Sequence, residues 1–92
     1  MPVGICRIRV FIDKSGSLKD RRNIIRKIIN RAKARFNVSI AEVGNETTDW
    51  HSTVIMAACV NSEKSKANST LSKVINIAEE EAYIEIESLE II

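Results

Sequence analysis

The order of patterns along this chain predicts an α+β fold, with two helices packed on one face of a four-stranded antiparallel sheet. Two kinds of periodicity support it. Short segments alternate apolar and polar residues with period two, as half-buried strands do. Two longer segments repeat apolar residues every three or four positions, as amphipathic helices do. Laid end to end they read β-α-β-β-α-β, and 92 residues make one domain, residues 1–92.

Residues 3–12 place Gly4, Cys6, Ile8, Val10 and Ile12 on one face and Ile5, Arg7, Arg9 and Phe11 on the other. That is a strand with one face on a core. Lys14-Ser15-Gly16-Ser17 breaks the alternation. Ser17 then opens a helix. Its hydroxyl can cap free N–H groups of the first turn, and Asp20 three residues later sets a carboxylate at the positive end of the helix dipole. Leu18, Ile25, Ile28, Ile29, Ala32 and Phe36 form the apolar stripe, and Asn37 is read as the stop.

Val38 to Val43 reads as a second strand, followed by a turn-rich stretch over 44–49. Thr53 to Val60 reads as a third strand, apolar on both faces, as a central strand covered on both sides is. Asn61-Ser62-Glu63 starts a second helix with a capping residue and an early acid. Its stripe is Ala67, Leu71, Val74 and Ala78, with Thr70, Ile75 and Ile77 beside it. Glu79, Glu80 and Glu81 sit at the unfavourable end of its dipole, so the helix is expected to fray there. Residues 83–92 form a fourth strand. Its parity changes between Ile84/Ile86 and Leu89/Ile91, which predicts a bulge near Ser88. The whole is the ferredoxin-like βαββαβ sandwich.

A chain this short buries about 60–65% of its unfolded surface, which limits a deep active-site cavity. Phe11, Phe36, Trp50 and Tyr83 are its aromatics, so Ile, Val and Ala build the core. Cys6 and Cys59 lie in apolar, strand-like surroundings and read as reduced core thiols of a cytoplasmic protein. No basic segment precedes a long apolar run, and no stretch approaches the ~20 apolar residues of a membrane span. No membrane partner is expected.

The net charge of +2 hides a strongly polarised chain. Residues 1–40 set eleven cations against Asp13 and Asp20, a balance of +9. Residues 41–92 set three lysines against ten acids, a balance of −7. Such a field points to a polyanionic or acidic partner. On a helical projection of 100° per residue, Lys19, Arg22, Arg26, Asn30 and Lys33 fall on one flank of the first helix, beside its apolar stripe. From 19 to 33 this ladder covers about 21 Å of helix axis at ~1.5 Å per residue. That reach can follow several phosphates of a nucleic-acid backbone. Arg21 and Arg22, near Lys14-Ser15-Gly16-Ser17, could together hold a phosphate or carboxylate. The far face adds Lys27, Arg31 and Arg35. The competing account is a solvated basic surface.

Arg7 and Arg9 face away from the helices, and Glu85 and Glu87 on the neighbouring fourth strand can pair with them. Sheet-platform RNA binders stack bases on aromatics of the central strands. The third strand has none, so stacking there is disfavoured. Its second apolar face instead suggests a sheet-face homodimer.

No chemistry stands out. His51 shares a hairpin with Glu42, Glu46 and Asp49, but the spacing matches no ligand pattern, and neither a metal nor a cofactor is expected. No serine is set beside a base, so no catalytic residues are assigned. The Lys14–Ser17 loop lacks the glycine spacing and Lys-Ser/Thr of a P-loop, and no small-molecule substrate is evident.

Gly4 heading an alternating strand, Ser17-Leu-Lys-Asp-Arg-Arg22, the run Ala34-Arg-Phe-Asn-Val-Ser-Ile-Ala-Glu-Val-Gly44, and Trp50 resemble the YlxP-like family of small bacterial proteins of unknown function. The likeness covers nearly the full chain. It implies a ferredoxin-like fold and a cytoplasmic protein, and because genes of the family often neighbour those for translation initiation and ribosome maturation factors, a connection to ribosomal RNA or ribosome assembly. It supplies no activity and no catalytic residues. Acylphosphatases share the topology, but this chain lacks their Gly-rich first loop and its phosphate-holding Arg, so it is not expected to be an enzyme.

The expectation is therefore a dimeric binding protein. Lys19, Arg21, Arg22, Arg26, Asn30 and Lys33 would contact the backbone of RNA or a ribosomal particle. The alternative is a protein-interaction module docking an acidic partner.

Overall fold

A computed structural model describes residues 2–12, 17–44 and 51–92. Within them run β1 (Val3–Phe11), α1 (Leu18–Arg35), β2 (Ser39–Gly44), β3 (Ser52–Val60), α2 (Lys64–Glu81) and β4 (Tyr83–Ile91). The strands form one sheet in the order β2-β3-β1-β4, with every neighbouring pair antiparallel. This is the ferredoxin-like βαββαβ arrangement. The Lys14–Gly16 part of the first loop, and Glu46, Asp49 and Trp50, lie outside the described residues.

Alternation in β1 sends Cys6, Ile8 and Val10 into full burial against the helices, while Ile5, Arg7, Arg9 and Phe11 take the open face of the sheet. Ile28 and Ala32 of α1 and Ala67, Leu71, Val74 and Ala78 of α2 close over the buried face with no exposed surface. Burying each of the larger side chains contributes roughly 1.5–3 kcal/mol. Gly4 heads β1 because a Cβ there would stand 2.8 Å from Leu71 Cδ1 and 3.1 Å from Ile91 Cδ1. Gly44 ends β2 at a φ of +91°, a conformation that L side chains rarely adopt.

The capping box forms in both directions: Asp20 N donates to Ser17 Oγ at 3.1 Å, and Ser17 N donates to Asp20 Oδ2 at 3.0 Å. The helix closes at Phe36, one residue before the expected stop at Asn37. Two expectations for α2 need correction. Asn61 is not its cap: its Oδ1 accepts from Glu63 N at 3.2 Å in a turn ahead of the helix, and Glu63 occupies the cap position without a side-chain bond. Nor does the helix fray at its acidic end, since it runs through Glu81. Cations on α1 offset the dipole there, with Arg31 2.8 Å from Glu80 and 2.9 Å from Glu81, and Lys27 3.4 Å from Glu81. The β4 irregularity falls where parity placed it. Arg7 opposes Ser88 while Ile8 opposes Ile86, so Glu87 is the extra residue.

Both cysteines are free and buried. Burial pushes the Cys6 thiol pKa up, which keeps it protonated and unreactive. No helix among the described residues is long and apolar enough to cross a membrane.

Candidate nucleic-acid interface

Burial of Ile25, Ile28 and Ala32 fixes the rotation of α1 about its axis. Its neighbouring flank therefore faces outward, and Lys19, Arg22, Arg26, Asn30 and Lys33 are all exposed along it. Among the described residues, none of these four cations makes an ion pair. The far face of the same helix differs: Lys27 and Arg31 are paired with the end of α2. Arg31 lowers the pKa of Glu80, first through the hydrogen bond and then through its charge. Glutamates of the negative half thus pair two of the far-face cations and, among the described residues, none of the four on the exposed flank.

Arg21 departs from the rest of the candidate set. It is half-buried, and its Nη2 lies 3.2 Å from Glu42 Oε2. Glu42 reaches this place because it shares with Ile40 the helix-facing side of β2, an edge strand beside α1. The same Oε2 also accepts from Thr53 Oγ1 of β3. Two depressions run between α1 and β2. One, of about 250 Å³, is lined by Leu18, Arg21, Arg22, Ile25 and Glu42. The other, of about 270 Å³, is lined by Arg22, Ile25, Arg26, Ile29, Asn30 and Glu42. Arg22, Ile25 and Glu42 belong to both, so they form one groove with an apolar floor and a cationic rim. Arg21, Arg22, Arg26 and Asn30 meet there, whereas Lys19 and Lys33 flank it. The sequence reading missed the part played by Glu42. Its alternation with Ile40 already placed it under a helix, but nothing local said which helix residue stood opposite.

The open face of the sheet is organised separately. Arg9 Nε lies 2.8 Å and Arg7 Nε 3.4 Å from Glu87, so one carboxylate serves both arginines, and Glu85 makes no ion pair among the described residues. The Arg9 hydrogen bond, with Arg7 adding less, holds Glu87 below the usual carboxylate range. Arg9 Nη1 also donates to Ser52 Oγ at 3.0 Å, and Arg7 Nη1 lies 3.5 Å from Met56 Sδ. Beyond them Ile5, Ala41, Met56 and Ala58 line a shallow apolar hollow, and Val60 is 61% exposed. Phe11 and Tyr83 pack with ring centroids 5.5 Å apart at the other end. Among the described residues no group of His, Cys, Asp and Glu is placed to hold a metal.

The fold has counterparts among solved structures. The de novo designed protein Foldit4 superposes with a TM-score of 0.53 at 15% identity, over 97% of this chain and 94% of that one. The designed protein LFR1 1, with ferredoxin fold, gives 0.52 at 15% identity over 96% and 86%. Both are similar in fold alone. In sequence the chain is 33% identical over 73 residues to the uncharacterized protein YlxP of Bacillus subtilis (strain 168), covering 79% of this chain and 78% of that protein. A family described as "Protein of unknown function (DUF503)" matches residues 3–91, and the chain belongs to that family.

Proposed function

We propose that this is a cytoplasmic binding protein that contacts the phosphate backbone of RNA, on a ribosomal particle or its precursors, through the exposed flank of α1. One observation carries the reading: Lys19, Arg22, Arg26 and Lys33 make no ion pair among the described residues, while Lys27 and Arg31 on the same helix do. A basic row that the protein does not neutralise itself is suited to an external polyanion. Binding of this kind is electrostatic and reads little sequence, because phosphates are alike at every position. The test is fluorescence titration of an oligouridylate at several salt concentrations. If four phosphates are neutralised, log affinity falls against log salt with a slope near −3, from ~0.7–0.9 per phosphate. A flat slope, or unchanged affinity when Lys19, Arg22, Arg26 and Lys33 are all Ala, rules the reading out.

A second reading is self-association or protein docking through the open sheet face. The exposed Val60 and the hollow over Ile5, Ala41, Met56 and Ala58 favour it. Val60→Glu would then abolish a dimer seen by sedimentation equilibrium, and a monomeric wild type would dismiss self-association.

A further inference from the structure

Glu42 is the one carboxylate lining the groove between α1 and β2 among the described residues, and it stands where the rim cations converge. Its Oε2 takes the hydrogen bonds of Arg21 Nη2 and Thr53 Oγ1. A guanidinium and a hydroxyl are the donors that also hold a phosphate oxygen. Arg22 and Arg26 border the same place, so the groove presents three guanidiniums around one internal anion. We infer that this groove is a phosphate subsite for a single-stranded polyanion, and that the Glu42 carboxylate occupies the phosphate position in the free protein.

The inference rests on the reading of the α1 flank as a polyanion interface and adds a named competitor to it. A phosphate entering between Arg21 and Arg22 meets a like charge and must displace Glu42 from Arg21. The Glu42 side chain is 36% exposed on an edge strand, so it can turn outward without opening the core. Its charge lowers affinity for every polyanion and makes the subsite the last to fill. Such an arrangement favours ligands dense in phosphate over isolated anions.

The test compares Glu42→Gln with Glu87→Gln. Gln keeps an acceptor for Thr53 at position 42, and Glu87 lies on the opposite face of the sheet, paired with Arg7 and Arg9. Both variants change the net charge equally. With oligouridylate, and separately with inorganic polyphosphate, Glu42→Gln is expected to steepen the salt slope by ~0.7–0.9, one further phosphate. Over a decade of salt that is a five- to eight-fold gain, from ~0.7–0.9 per phosphate. Glu87→Gln is expected to leave both anions unaffected. Equal tightening by the two variants reduces the effect to overall charge and overturns the inference. No tightening by Glu42→Gln with either anion overturns it as well. If Glu42→Gln gains affinity for polyphosphate while neither protein binds the oligonucleotide, the subsite stands and the RNA reading fails. If nothing binds either anion, both fall.

Discussion

Arg31 Nη1 lies 2.9 Å from Glu81 Oε2, and Arg31 Nη2 lies 2.8 Å from Glu80, so one guanidinium of α1 clasps the acidic end of α2. The contact settles two matters together. It supplies a cation where the α2 dipole is negative, which lets the helix carry three consecutive glutamates to its end. It also engages Arg31 on the far face of α1, where Lys27 pairs with Glu81 as well, while Lys19, Arg22, Arg26 and Lys33 on the groove-side flank make no ion pair among the described residues.

Replacing Arg31 with Met is expected to raise the Glu80 pKa toward its ordinary value, because Arg31 supplies both main causes of its depression. NMR titration of the Glu80 side-chain carboxyl reads this directly. A Glu80 titration that does not move removes the clasp from the account.

Glu87 yields a pH dependence. Its folded pKa is lowered by Arg9 and then Arg7. The stabilisation is therefore fully present above the ordinary carboxylate range, and it is lost as pH falls through the lowered folded value. Urea unfolding at a series of acidic pH values is expected to show a shallower loss of stability in Glu87→Gln than in wild type. Parallel curves contradict the assignment.

Gly4 has no room for a side chain, since its hypothetical Cβ meets the fully buried Leu71 at 2.8 Å. Gly4→Val is expected to lower the unfolding free energy by about 1–3 kcal/mol, the usual range for overpacking a filled core. Pairing it with Leu71→Ala tests the cause, because the double variant then loses less than the sum of the two single losses.

Ser17 caps the helix that carries the basic flank. Ser17→Ala removes the acceptor for Asp20 N and is expected to cost about 1 kcal/mol of stability. Hydrogen exchange at the first turn of α1 is expected to speed up while the core strands keep their protection. Uniform loss of protection would show that the cap acts on the whole fold.

Much of this was written in local pattern. Alternation in 3–12 separated Cys6, Ile8 and Val10 from Arg7 and Arg9, and the 3.6-residue stripe through Ile25, Ile28 and Ala32 determined which flank of α1 faces outward. Period and burial are properties of neighbouring residues, so a sequence displays them. The Ser17–Asp20 box and the β4 bulge are local in the same sense.

The charge partnerships were decided only by the tertiary structure. Glu79 to Glu81 looked like a fraying helix end, because the cation that pairs with Glu80 and Glu81 lies some fifty positions away on α1. Arg7 and Arg9 had two carboxylates within reach on β4, and the extra residue of the bulge set Glu87 between them. Arg21 belonged to the basic row by position, yet the packing of α1 beside the edge strand brought it to Glu42. A charge acts through space on whatever folding brings near. The amount and periodicity of charge were therefore legible in the chain, while its neutralisation depended on the crossings of helices and strands.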